Sequence, residues 1–166
     1  RYFAAGPMAA FEPVCQAISN ALVSDLPRTE CVELMVGFAQ PFALQVQCAF
    51  MGWPDSLHEP LRQWIGKNHL ATRAGDRSAM AQIAVEFDGH IKQQLTVRRD
   101  AGAQAPDDVT TQLLHERIHG RALSDEEIVS IVRNWTVGEL GTIAASVGIL
   151  VHYLATHRGL QAELRG

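Results

Sequence analysis

The 166-residue chain lacks the features that would tie it to a polyanion, a bilayer or an oxidising compartment. Fourteen Lys and Arg against 18 Asp and Glu leave a net charge of −4 with no basic stripe, which argues against nucleic acid as a partner. No uninterrupted apolar run reaches membrane-spanning length. The most apolar stretch, Ile143 to Ala155, is interrupted by Ser146, Gly148 and His152, so no membrane partner is expected. Cysteine is scarce: Cys15, Cys31 and Cys48 are far apart, odd in number and without metal-ligand spacing. Buried free thiols in a reducing, cytoplasmic compartment are the expectation. A secretory leader pattern is missing as well. The chain opens on Arg1 and runs at once into Tyr2-Phe3-Ala4-Ala5, which suggests a trimmed piece of something longer.

What is present is helical periodicity in a chain that is 47% apolar and long enough for one core. Val14, Cys15, Ile18, Leu22 and Leu26 fall mostly at steps of three and four. They predict a helix from Pro13, in its first turn, to a stop at Pro27. A second apolar stretch, Cys31 to Met51, contains Pro41, which should kink or divide it. Gly52-Trp53-Pro54-Asp55 reads as a turn, followed by a helix from Asp55 to about Leu70 with Pro60 early in it. Gly75-Asp76 breaks the chain before a long amphipathic helix carrying Met80, Ile83, Ala84, Phe87, Ile91 and Leu95 and ending near a solvated Arg98-Arg99. After a loop from Asp100 to Asp107, a short helix from Val109 to Ile118 is expected to stop at Gly120. No strand is expected, and the fold class is mainly α.

The clearest start signal is Ser124-Asp125-Glu126-Glu127, a capping box with Leu123 and Ile128 as its hydrophobic staple. The helix it opens spans about 125–155. Two glycines, Gly138 and Gly141, sit in its middle, where each costs about 1 kcal/mol relative to Ala. With Thr142 and Ala145 they share one face that is nearly free of side chains. Such a face suits another backbone or a flat ligand. Glu139 is the single acid in this apolar segment, and burying it without a partner would be costly.

Several segments resemble a known family in the right order. Val36-Gly37-Phe38-Ala39-Gln40-Pro41-Phe42-Ala43-Leu44 is similar to a "DFAxPLP" segment, and Cys48-Ala49-Phe50-Met51-Gly52-Trp53-Pro54 to the "ICELLGVP" stretch that follows it. Ala122 to Ile128 is similar to an "LSDEEL" helix start, Gly138-Glu139-Leu140-Gly141-Thr142 stands at an "AGxET" motif, and His157 to Arg165 is similar to "HPxLQAELR". Together they resemble the middle of a bacterial cytochrome P-450, a haem-thiolate monooxygenase. The resemblance implies a partial cytochrome P-450 helical fold in which the face of Gly138, Gly141, Thr142 and Ala145 lies against haem. Thr142 then aligns with the threonine that hydrogen-bonds dioxygen and helps deliver protons. Trp64 and Leu140 become candidates for the substrate pocket. The parent would take electrons from a ferredoxin-like or flavin partner and hydroxylate a small organic molecule.

Two departures stand out: Gly141 replaces the acid that usually precedes the threonine, and Glu139 replaces a glycine. Glu139, one turn before Thr142, is therefore the candidate substitute for the missing acid. Around Cys15, Cys31 and Cys48 there is nothing like the family's FxxGxHxCxG thiolate loop, and no ExxR motif follows the long helix, where Glu163-Leu164-Arg165 is too short to be it. The 166 residues alone are accordingly expected to bind no haem stably and to be inactive. They are also expected to self-associate through a long helix whose Trp135, Val137, Leu140, Ile143 and Val147 would lose part of their cover.

Two other functions compete with this reading. His115-Glu116-Arg117-Ile118-His119 matches the H-E-x-x-H pattern of zinc peptidases, with the histidines four apart on one helix face, Glu116 as general base and Glu139 at a possible third-ligand spacing. Arg117 beside the metal, a short helix ended by Gly120 and the lack of an edge strand oppose it. The non-enzymatic alternative is a helical interaction module whose glycine face packs a partner helix. His58, His69 and His90 read as solvated, and His152 as partly buried.

Overall fold

The computed structural model describes residues 1–165. Seven α-helices, α1 (Ala5–Asp25), α2 (Gln40–Met51), α3 (His58–Ala74), α4 (Arg77–Ala101), α5 (Val109–His115), α6 (Asp125–Thr156) and α7 (Arg158–Arg165), make up most of the described residues. A single π-helical turn, Met35–Ala39, leads into α2, and a small ribbon, β1 (Arg117–Ile118) with β2 (Arg121–Ala122), precedes α6.

Each boundary has a local cause. α1 begins eight residues before Pro13 and carries that proline inside it, not in its first turn. No residue of α1 is fully buried, so its apolar face is only partly covered by α2. Pro41 is the second residue of α2, and the irregularity expected near it takes the form of the π turn that runs directly into that helix. Gly75 ends α3 in the left-handed conformation (φ +64°), and Asp76 caps α4 by accepting from the Ala79 N–H.

The core lies between α2, α3, α4 and α6, around Met51, Leu61, Phe87, Ile91, Leu95, Ile128 and Val132. The π turn and α2 pack closely on α6 because small residues meet there: Ala39 of the turn and Ala43 of α2 against Ala144. Farther along, Gln47 and Thr136 pair at 3.4 Å. At Gly148 a Cβ would lie 2.5 Å from Met35 Sδ, so the end of that flexible side chain would have to swing aside to admit one.

At α5 the sequence reading fails. The expected helix to Ile118 stops at His115, and the chain turns back as an antiparallel ribbon pairing Arg117 with Ala122 and Ile118 with Arg121. His119 (φ +53°) and Gly120 (φ +82°) form its turn, the two positive angles that a type I′ turn demands. Arg98 is a second correction. It is not a solvated helix end but is 4% exposed, donating to both Asp108 oxygens, to Gln94 and to the Gly52 carbonyl. Asp108 at the same time caps α5 through the Thr111 N–H, and a Cβ on Gly52 (φ +72°) would meet it at 2.3 Å. This cluster fixes the α2–α3 turn against the end of α4 and the start of α5. Cys48 is buried, Cys15 half-buried and Cys31 exposed, so the expectation of three buried thiols holds only for Cys48.

Candidate functional site

α6 is held as one unbroken helix by its own chemistry. Ser124 Oγ accepts from the Glu127 N–H at 3.3 Å while Glu127 Oε2 accepts from the Ser124 N–H at 2.8 Å, completing the capping box. Arg121 grips the same Glu127 carboxylate at 2.6 and 2.7 Å and, with the capping contact, holds it down at about 2. Ion pairs from Arg99 to Asp125 and from Asp88 to Arg133 tie the first half of α6 to α4.

The two sides of α6 differ sharply. Val129, Val132, Thr136, Leu140 and Ala144 are buried toward α2 and α4. Gly138, Gly141, Thr142 and Ala145, the predicted binding face, are all exposed on the other side. A Cβ built on Gly138 or Gly141 would meet nothing within 4 Å. Neither glycine is therefore explained by packing within the described residues. The Thr142 hydroxyl donates to the Gly138 carbonyl at 2.7 Å, which leaves its lone pairs free to accept. Glu139 is exposed on the flank of the strip, so the burial cost anticipated for it does not arise within the described residues.

The aromatic residues at the chain start end this strip on one side. Tyr2 and Phe3 pack on Trp135, with ring centroids 5.4 and 5.1 Å away, and Phe3 stacks on Phe50. Beyond the strip, Ile149, Leu150 and Tyr153 are 69%, 62% and 51% exposed. These residues carry the uncovered apolar surface. Trp135, Val137, Ile143 and Val147 are half-buried, as a partial loss of cover implies, whereas Leu140 is buried, contrary to that expectation. By length and composition α6 is long and apolar enough to cross a membrane, a property hidden when only the run from 143 to 155 is counted. Only 11% of its most apolar segment is buried among the described residues.

The two substrate-pocket candidates face elsewhere. Trp64 is 3% exposed, donates its indole N–H to the Ile83 carbonyl at 2.8 Å and packs on Phe87 at 4.6 Å. Leu140 is 5% exposed and belongs to the same core, on the side of α6 away from the strip. The spacing of core residues and of pocket residues on a helix is the same, so the sequence alone did not separate them.

The zinc pattern loses its geometry. His115 is the last residue of α5, with Nδ1 at 2.9 Å from the Thr111 carbonyl, whereas His119 lies in the ribbon turn. The shared helix face on which the chelating argument rests does not exist. Glu116 is engaged by the Tyr2 hydroxyl at 2.9 Å and by Arg1. No cluster of three or more potential metal ligands occurs among the described residues. The cysteines are no closer to a metal role at the strip. Cys48 lies in the core with its thiol pushed up to about 12 by burial.

Comparison with known proteins fits this one-sided helix. No family model matches the chain. A probable cytochrome P-450 of Sinorhizobium fredii is 32% identical over 98% of this chain and 38% of its own length. The mycinamicin IV hydroxylase/epoxidase of Micromonospora griseorubida is 22% identical over 98% of the chain and 40% of its own. Among solved structures, the cytochrome P-450 PksS of the Bacillus subtilis bacillaene polyketide synthase superposes with a TM-score of 0.86 at 23% identity, covering 98% of this chain and 41% of that one. The complex of MycG with mycinamicin IV gives a TM-score of 0.82 at 22% identity. The chain thus spans about two fifths of the relatives it matches, and its fold is the mainly α, partial helical fold of a cytochrome P-450.

Proposed function

We propose that this chain, similar along nearly its whole length to the middle of bacterial cytochrome P-450 enzymes, forms the distal wall of a haem pocket in a monooxygenase that hydroxylates a small organic molecule. The observation that carries the reading is the bare strip of α6. Gly138 and Gly141 have open space in front of them on an intact helix, although each weakens that helix by about 1 kcal/mol. A flat apolar group lying on the strip accounts for both glycines. The residues fit one face of a haem and offer no thiolate at the strip, so the iron ligand belongs to another part of the parent.

Haem held here supplies an oxygen-activating redox centre. The chain's own residues then have distinct tasks. Gly138, Gly141 and Ala145 permit flush contact, and the apolar wall excludes water. Thr142 accepts a hydrogen bond while its own hydroxyl donates to the Gly138 carbonyl, and it donates elsewhere only after releasing that bond. Glu139 holds a carboxylate one turn earlier, where Gly141 leaves none, and passes protons toward Thr142 through water. A ferredoxin-like or flavin partner supplies electrons to the parent, which resides in the cytoplasm. The 166 residues alone are inactive, bind no haem stably and associate through α6.

Substituting Leu for Gly141 tests the reading. In the longer enzyme it should abolish the haem Soret band. In this chain it should not lower the melting temperature, since the side chain enters open space. Retention of the Soret band and of the carbon monoxide difference spectrum would refute the haem face. For Glu139→Gln in the longer enzyme, product formed per nicotinamide consumed should fall. Unchanged coupling removes Glu139 from the relay.

A further inference from the structure

The chain start places an oxidisable pair beside the binding strip. Trp135 lies three residues before Gly138 on the strip's side of α6, and Tyr2 packs against it with ring centroids 5.4 Å apart. The Tyr2 phenol donates to Glu116 Oε2 at 2.9 Å, so a proton acceptor is already in place. Burial first, and then the Glu116 carboxylate, push the phenol's pKa above its usual value, which keeps it protonated at neutral pH. Arg1 stands over the ring at 5.1 Å and disfavours any cationic form of it. Losing an electron therefore requires Tyr2 to lose its proton as well. The other tyrosine, Tyr153, is exposed and stacked on His157, away from Trp135 in sequence and packing.

We propose that Trp135, Tyr2 and Glu116 form a proton-coupled electron relay that refills an electron vacancy arising at the α6 strip. The location of the vacancy rests on the haem reading; the relay itself rests on the contacts above. A one-electron oxidant takes an electron from the Trp135 indole and is reduced by one electron. Tyr2 returns one electron to Trp135 as its O–H bond breaks, and the proton forms a new O–H bond on Glu116. The products are neutral indole, a neutral tyrosyl radical and a carboxylic acid, so charge and atoms balance. In the parent, a haem held at the strip would supply the one-electron oxidant, and the relay would spare the surrounding protein.

The chain as it stands can be oxidised with photogenerated ruthenium(III) tris-bipyridine and examined by freeze-quench paramagnetic resonance. A neutral tyrosyl signal is expected in the unsubstituted chain and in Tyr153→Phe, and its loss in Tyr2→Phe. Glu116→Gln should slow its formation and leave a tryptophanyl signal, and Trp135→Phe should lower its yield. Tyr2→Phe keeps the ring and Glu116→Gln the shape, so far-ultraviolet circular dichroism should be unchanged in both. A signal that survives Tyr2→Phe, one that vanishes in Tyr153→Phe, or an unaltered rate in Glu116→Gln would overturn the relay. In the longer enzyme the two ideas separate. Absence of a Soret band sinks the haem reading alone, whereas normal haem content with a peroxide-induced tyrosyl signal indifferent to Tyr2→Phe sinks the relay alone.

Discussion

Arg98→Ala is the sharpest test of how this fold is held. Arg98 is almost wholly buried, and Asp108, its partner at 2.6 Å, has a side chain only 12% exposed. Removing the guanidinium leaves the Asp108 carboxylate with only the Thr111 N–H, and strands the Gly52 carbonyl and the Gln94 amide oxygen. Breaking a buried ion pair from one side costs about 3–5 kcal/mol, because the surviving charge stays desolvated. With a urea slope of roughly 1–3 kcal/mol per molar, the unfolding midpoint should fall by at least about 1 M at constant slope. Arg98→Lys keeps the charge but not the five-donor fork, and should fall between the two. Arg62→Ala, which removes an equally well-formed pair with the exposed Glu59, should leave the midpoint unmoved. The measurement is urea titration followed by circular dichroism. If Arg98→Ala lands with Arg62→Ala, the cluster does not anchor the α2–α3 turn and the burial argument is wrong.

Other outcomes follow from the same contacts. Gly148→Ala should not destabilise the chain, because the new Cβ displaces only the flexible end of Met35, 2.5 Å away, while helix propensity improves; a loss that Met35→Ala restores in a double-mutant cycle would show that Met35 cannot yield. The capping box should respond to acid. Glu127 has a folded pKa of about 2, depressed from 4.5, so its contribution is complete above about pH 4.5 and is lost as pH falls toward 2. Glu127→Gln should flatten that part of the stability–pH curve. Leu150→Glu, placed on the 62% exposed position of α6, should shift the chain toward monomer in sedimentation, and an unchanged distribution would exclude this face as the site of association.

Much of the architecture was legible because local rules and tertiary demands agree. The capping box at Ser124, the left-handed stops at Gly52 and Gly75, and the core positions Ile83, Phe87, Ile91 and Leu95 each follow from a short stretch of sequence. The strip of Gly138, Gly141, Thr142 and Ala145 was visible too, because glycines inside a helix are a local anomaly that periodicity exposes. His119-Gly120 is an instructive miss. The preceding apolar positions continue a helical pattern, and the signal for a turn is only a histidine and a glycine able to take positive φ.

What the sequence by itself determined, then, is the mainly α class, where most of the helices stop and which face of α6 is bare. Those are properties of neighbours within a few positions, set by backbone sterics and side-chain period. Only the tertiary structure decided that Arg98 is buried, that Trp64 and Leu140 belong to the core and that Tyr2 rests between Glu116 and Trp135. Each of those depends on which residue distant in the chain arrives to desolvate a side chain or share its proton, and no local pattern encodes that arrival.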